Sequence, residues 1–389
     1  VLSKNIPKLR FLGYDNKWER LKLGEVCDVF QSGKNIKSHD ILDEGMYPVF
    51  GGNGLRGYTN TYNYEGLYAF IGRQGALCGN VNIFQGKSFF TEHAIVVKAS
   101  KENDTKFLFY LLEKMNLRQY SDQSAQPGLA VNKLIKLFAF IPIYEEQVKI
   151  GMFFERLDET IALQQQELTI LKQTKQGFLQ KMFPKEGEAV PEVRFPGFLD
   201  NWKVYKLADI TKLITKGTTP KDKYSKGDVN LIKVENIDSY SGVITLTSKV
   251  SKEEHEGYLK RSQLKADDIL FSIAGTLGRT SIVKEGILPA NTNQALAIIR
   301  LKNGNTGFVE TYLKGRTVEE YIKRNPTVGA QPNLSLAQLG NLTIKLPSSQ
   351  EQEAISKFFK GIDKVISISQ QELEALQQTK KAFLQKMFV

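Results

Sequence analysis

The sequence predicts an α+β protein: two similar mixed α/β domains separated by two long helices that form an antiparallel coiled coil. Two direct repeats and one periodicity predict it. Pro7, Arg10, Phe11, Gly13, Trp18, Lys22 and Leu23 recur as Pro191, Arg194, Phe195, Gly197, Trp202, Lys206 and Leu207, at a constant offset of 184. Pro142 to Phe183 aligns without a gap on Pro347 to Phe388, at an offset of 205, with 22 of 42 positions identical. The ends of each half are therefore alike, while the middles have diverged and the second half carries 21 more residues. Two similar frames hold two different inserts, and such a repeat has to be found before any motif is weighed.

The elements follow in order. Residues 1–142 form a first domain, in which Leu67 to Ile71 and Ala94 to Val97 read as strands and Thr105 to Met115 as a helix. Residues 143–183 form the first long helix, free of Pro from Glu145 onward and rich in Gln, Glu, Lys and Leu. Residues 184–347 form the second domain, with strands at Asn230 to Val234, Ile269 to Ile273 and Leu296 to Leu301 and a helix at Thr306 to Arg324. Residues 348–389 form the second long helix. In the first, Phe154, Leu157, Ile161, Gln164, Leu168, Leu171, Lys175, Phe178 and Met182 are spaced by alternating threes and fours, a coiled-coil seam. Phe359, Ile362, Ile366, Ser369, Leu373, Leu376, Lys380, Phe383 and Met387 repeat it in the second. Each seam has two polar breaks, and polar seam residues fix register at some cost in stability. A lone helix with such a stripe needs a partner, and the chain offers one matched in length and phase.

Composition narrows the function classes. Hydrophobic residues make up 41% and charged residues 24%, a globular rather than a disordered balance. The net charge of +11 favours a polyanionic partner. Cys27 and Cys78 lack metal or redox spacing, which points to a reduced, cytoplasmic setting. No apolar window long enough for a membrane span occurs, so no membrane partner is expected.

The search for catalytic motifs is almost empty. Gly52-Asn-Gly54-Leu-Arg-Gly57 matches GxGxxG, but the Tyr- and Asn-rich stretch after it favours a turn or strand over the helix that a dinucleotide site requires. There is no GxxxxGK[ST], no HExxH, no GxSxG and no Asp/Asn-Pro-Pro-aromatic motif. His39, His93 and His255 stand alone, and no metal site or cofactor is expected in this chain. What remains are loops rich in Gly and polar residues. Their candidates for DNA contact are Lys34, Asn53, Arg56, Arg73 and Gln74 in the first half, with Lys216, Thr218, Thr219, Lys221, Asn236, Arg279, Asn293 and Gln294 in the second. Arg pairs bidentately with guanine and Asn or Gln with adenine, while Lys and Thr suit phosphates. Ordinary turn chemistry explains the same residue types.

The PxxRFxGFxxxW entry at Pro191 to Trp202 with its near-copy at Pro7 to Trp18, the Gly-x-x-Pro loop at Gly217 to Pro220, the Gln-x-x-Leu segment from Gln331 and the Pro-x-x-x-Glu-Gln start of each QQEL…FLQKMF helix together resemble the specificity subunits of type I restriction-modification systems. The first copy of the loop departs from the pattern, with Lys34-Asn35-Ile36 in place of Thr218-Thr219-Pro220. The resemblance implies two target-recognition domains that read a bipartite, asymmetric double-stranded DNA site, and no catalytic residue. It further implies two methyltransferase subunits using S-adenosylmethionine for adenine-N6 methylation, and two translocase-nuclease subunits using ATP and Mg. Polar residues of the helices recur as well, and Glu167 with Lys181, and Glu372 with Lys386, are candidates for partner contact. A non-catalytic RNA-binding or other nucleic-acid scaffold with a coiled coil is the alternative.

Overall fold

The computed structural model describes residues 5–121, 127–221, 227–246, 248–325 and 333–389. It divides into two compact units, Val1–Gln164 with Glu372–Val389, and Gln165–Gln371. The division falls inside the long helices rather than at the helix ends near 142 and 347, so each unit holds the start of one helix and the end of the other. Ala125, Gln126, Ala330, Gln331 and Pro332 of the repeated sequence lie outside the described residues.

The first unit begins with β1 (Glu19–Lys22) and continues with β2 (Cys27–Ser32), β3 (Tyr47–Gly51), β4 (Gly54–Thr59), β5 (Tyr64–Gly72), β6 (Val81–Phe90) and β7 (Ala94–Ala99). Helix α1 (Thr105–Lys114), the short α2 (Val131–Leu134), β8 (Phe138–Ile141) and the long α3 (Tyr144–Lys181) follow. Six strands form one sheet in the order β2-β7-β5-β6-β3-β4, while β1 pairs separately with β8. Alternation sets the two faces. Ile95, Val97, Ala69 and Ile71 face α1 and its buried Phe107, Leu108 and Leu111, whereas Phe70, Val96, Tyr68 and Phe90 form a second apolar cluster with Phe50.

The second unit repeats this plan with β9 (Lys203–Lys206), α4 (Leu207–Ile210), β10 (Thr211–Lys216), β11 (Val229–Ile232), β12 (Ser248–Val250), α5 (Lys252–Glu256), β13 (Ile269–Ser272), β14 (Thr280–Ile282), β15 (Ala290–Thr292) and β16 (Leu296–Leu301). Then come α6 (Thr306–Leu313), α7 (Arg316–Arg324), α8 (Leu336–Asn341), β17 (Thr343–Leu346) and the long α9 (Ser349–Met387). The strand orders are β10-β16-β13-β14 and β12-β11-β15, with β9 on β17. This is the first unit's order with β6 broken into β14 and β15. The expected helix from Thr306 to Arg324 is two helices, because the chain turns at Lys314-Gly315 and Gly315 caps the second.

The first sequence repeat is a clamp on the second. Arg10 holds Glu146 through two bonds of 2.7 Å, and Arg194 holds Glu351 through bonds of 2.7 and 2.8 Å. Both carboxylates are fully buried, and the bidentate geometry meets their demand for donors. The adjoining glutamines act alike. Gln147 Oε1 accepts from the Asp104 N–H at 2.9 Å and Gln352 Oε1 from the Asn305 N–H at 3.0 Å, and each donates to the Pro carbonyl five residues back. Asp104 and Asn305 in turn cap α1 and α6, so one dipeptide joins each long helix to its sheet-covering helix.

Every seam residue of α3 and α9 is buried or half-buried, including Leu157, Ile161, Leu171, Ile362 and Leu376. In the first unit Phe153 meets Phe383 at 5.1 Å and Phe154 meets Phe388 at 5.8 Å. In the second, Phe178 meets Phe358 at 4.9 Å and Phe183 meets Phe359 at 5.9 Å. Phe153 with Phe383, Asp158 with Lys380 and Gln164 with Glu372 in one unit, and Lys175 with Asp363 and Phe178 with Phe358 in the other, show numbers rising on α3 as they fall on α9, so the pairing is antiparallel within each unit. The polar breaks set its register. Lys175 binds Asp363 at 2.5 Å in one unit, and Lys380 binds Asp158 at 2.8 Å in the other. Asp363 is the repeat of Asp158, and Lys380 is the repeat of Lys175.

Candidate nucleic-acid interface

Four loops of the first unit converge at one end of its sheet. They are the turn after β2, the β3–β4 hairpin, the segment after β5 and the β6–β7 turn. Lys34 N–H donates to the Phe90 carbonyl at 3.0 Å, and Arg73 N–H to the His93 carbonyl at 2.9 Å. A methyl group at Gly52 would lie 2.9 Å from His93 O and 3.5 Å from Gln74 O. Gly33 is required: a Cβ there would lie 2.2 Å from the Phe90 carbonyl oxygen. The sequence-predicted Lys34, Asn53, Arg56, Arg73 and Gln74 are thus gathered on one edge. All are exposed except Arg73, which is half-buried and donates to the Glu92 carbonyl at 3.4 Å. The GxGxxG match spans the β3–β4 hairpin, so it opens no helix.

The second unit builds the same backbone. Gly217 N–H donates to Leu296 O at 3.0 Å where Gly33 N–H donates to Ala94 O at 2.9 Å. Thr218 N–H reaches Thr292 O, and Ile273 N–H reaches Ala295 O, both at 2.9 Å. Leu334 N–H donates to Ile273 O as Leu129 N–H does to Arg73 O. The bridge between Ala274 and Asn333 repeats that between Gln74 and Gly128. These bonds equate Lys34 with Thr218, Arg73 with Ile273, Gln74 with Ala274 and the turn Thr91-Glu92-His93 with Asn293-Gln294-Ala295. The frame is held while its side chains are replaced.

Lys216, Thr219, Lys221 and Gln294 are exposed, and Asn293 is half-buried. The Thr219 hydroxyl bonds Gln294 Oε1, Lys221 lies 4.4 Å from the Tyr258 ring centre, and its N–H donates to Glu254 at 2.5 Å. Three expected contacts are instead committed to the loops' own structure. Thr218 is buried and accepts from Arg261 Nε at 3.0 Å. Asn236 is buried and accepts from the Lys233 N–H at 2.8 Å. Arg279 donates to the carbonyls of Val234 and Ile237 at 3.3 and 3.0 Å, pinning the loop after β11. In that loop burial pushes the Asp238 carboxyl up, but bonds from Ser241 and Tyr240 outweigh it and leave its pKa below the ordinary value. Sequence reasoning passed over Glu92 and Arg261, and took His93 and His255 only as isolated residues. His255 Nδ1 lies 2.5 Å from Asn291 Oδ1.

On the long helices Glu167, Lys181, Glu372 and Lys386 are all exposed. Lys181 pairs with Glu192 at 2.9 Å, and Gln164 reaches Glu372 at 3.3 Å. Leu163 and its repeat Ile368 are also exposed, at 66% and 45%. Among the described residues no group of His, Cys, Asp and Glu has metal-binding geometry, and no helix is long and apolar enough to cross a membrane.

The duplicated frame with loops gathered at one sheet end defines a two-module recognition protein. Residues 15–173 and 199–378 match the type I restriction modification DNA specificity domain, and the chain belongs to that family. It is 42% identical over 144 residues to the Type I restriction enzyme EcoprrI specificity subunit of Escherichia coli, a match spanning 36% of each chain. To the Type I restriction enzyme MjaVIII specificity subunit of Methanocaldococcus jannaschii it is 22% identical over 98% of its own length and 94% of the relative's. The crystal structure of the type I restriction-modification S subunit from M. genitalium shares the fold, with a TM-score of 0.67 and 19% identity over 99% of both chains. The protein is a non-catalytic specificity subunit, the component of such a complex that recognises the DNA target.

Proposed function

We propose that each unit reads one half of a bipartite, asymmetric DNA target through the loops at its sheet end. One observation carries this: two sets of matching backbone hydrogen bonds hold unlike side chains at the same positions. A shared frame docks both units on the duplex in one way, and the replaced side chains give each a different base preference. Lys34, Arg56, Arg73, Lys216 and Lys221 supply positive charge at the loop ends, in keeping with the overall +11. This basic, paired design favours duplex DNA over the RNA scaffold.

The chain serves a complex whose chemistry resides elsewhere. Two methyltransferase subunits would use S-adenosylmethionine for adenine-N6 methylation, and two restriction subunits would use ATP and Mg, in the cytoplasm. Its own residues bind DNA and position those partners, and no cofactor is assigned to it. Two copies of the modification subunit follow from the duplicated helix surface, because a surface present twice offers the same site twice. Exposed Leu163 and Ile368, at equivalent places beside the seam, support a partner on that face. Charge reversal of Glu167 with Lys181, or of Glu372 with Lys386, removes one modification subunit in native mass spectrometry. A saturating 1:1 complex in the unaltered protein contradicts the two-copy reading.

A further inference from the structure

Glu92 stands apart from its surroundings. The loops about it carry Lys34, Arg56, Arg73 and Gln74, which suit an anionic ligand, yet the turn between β6 and β7 presents a carboxylate. That carboxylate pairs with no Lys or Arg among the described residues. Oε1 lies 3.2 Å from Nε2 of the adjacent His93, and Oε2 is buried without a hydrogen-bond partner among the described residues. A buried oxygen left unpaired carries a penalty that a donor from a ligand relieves. Phosphate supplies no such donor and repels a carboxylate. A base edge does supply one.

The second unit identifies the position. The backbone bonds that equate Ala94 with Leu296, and Phe90 with Thr292, place Glu92 over Gln294. At this one place the frames differ by a carboxylate, which only accepts, against an amide, which both donates and accepts. Major-groove chemistry separates the two: a carboxylate accepts from cytosine N4, and a glutamine pairs bidentately with adenine N6 and N7.

We propose that Glu92 and Gln294 are the same base-reading position in the two units, with Glu92 selecting a cytosine and Gln294 an adenine. The inference rests on the DNA-reading function proposed above and assigns one position of each half-site to a residue. The test is methylation of a randomised duplex library by the complex assembled with its modification subunits, followed by sequencing of the methylated products. Glu92→Gln should reduce the preference for cytosine at one base pair of one half-site by about 5- to 150-fold, and leave the other half-site unchanged. Gln294→Glu should in turn weaken an adenine preference at one base pair of the other half-site. A wild-type complex with no sequence preference would refute the function itself. A bipartite wild-type target that survives both substitutions, or an equal loss over all sequences, would overturn the assignment alone. If Glu92→Gln lowers the melting temperature so far that no complex forms, Gln294→Glu decides: a single-position change supports the assignment and an unchanged target overturns it.

Discussion

Replacing Lys175 with Met tests whether the polar seam residues hold the helices in register. Lys175 is only 4% exposed at its side chain, and its Nζ lies 2.5 Å from Asp363 Oδ1 and 2.9 Å from the Tyr240 carbonyl oxygen. Burial lowers the lysine's pKa and raises that of Asp363, so both groups carry a desolvation penalty that their contact offsets. Removing one partner of a buried pair costs about 3–5 kcal/mol. Asp363 retains 26% exposure, which admits water and sets the expectation at the lower end, about 3 kcal/mol. For a unit of about 200 residues that shifts the melting midpoint down by roughly 6–12 °C, measured calorimetrically on the full chain. The double change Lys175→Met with Asp363→Leu should recover most of the loss, because an apolar pair of similar volume replaces a buried ion pair at little cost. The pH dependence has a defined sign. Asp363 has a folded-state pKa above its unfolded value, and more so without Lys175. The single variant therefore gains stability relative to wild type as pH falls through that raised pKa, and its deficit is smaller at pH 5 than at pH 8. A single variant as stable as wild type, or a double variant as unstable as the single, would refute the reasoning.

Three further outcomes are expected. Arg10→Ala should destabilise the first unit by about 3 kcal/mol in denaturant titration, because Glu146 is fully buried and loses both of its guanidinium bonds, and Arg194→Ala should do the same in the second. Gly33→Ala should displace the turn after β2, since its Cβ would meet two carbonyl oxygens, and the assembled complex should lose preference in one half-site only, as read by library methylation. DNA affinity of the complex should fall linearly on a log–log plot against salt, by roughly 0.9 per phosphate neutralised, and Lys34→Ala should make that slope shallower by about one phosphate in filter binding.

The long helices were legible because their signal is local: alternating three- and four-residue steps predict a seam wherever the helix lies. All 18 seam positions are indeed covered to some degree. That Lys175 and Lys380 bind Asp363 and Asp158 was not legible, since each aspartate lies on the other helix and far away in sequence. The clamps of Arg10 and Arg194 were seen as repeated letters, but their purpose appears only once Glu146 and Glu351 are brought beside them. Loop residues fared less evenly. Asn53 and Arg56 sit on a hairpin that the glycines announce, whereas Thr218 and Arg279 are held by non-local partners that composition does not reveal, and buried Asn236 closes a local turn on the Lys233 N–H. Glu92 was missed for a definite reason. Its counterpart Gln294 is 202 residues away, an offset that neither repeat shares, and Thr-Glu-His does not resemble Asn-Gln-Ala. Only the backbone hydrogen bonds align them.

On the proposed function, one frame used twice carries two independent readers. Exchanging residues 25–140 for the corresponding segment of another specificity subunit, and sequencing the methylated sites made by the resulting complex, tests it most directly. One half-site should change and the other stay as it was. A change in both half-sites, or in neither, would contradict it.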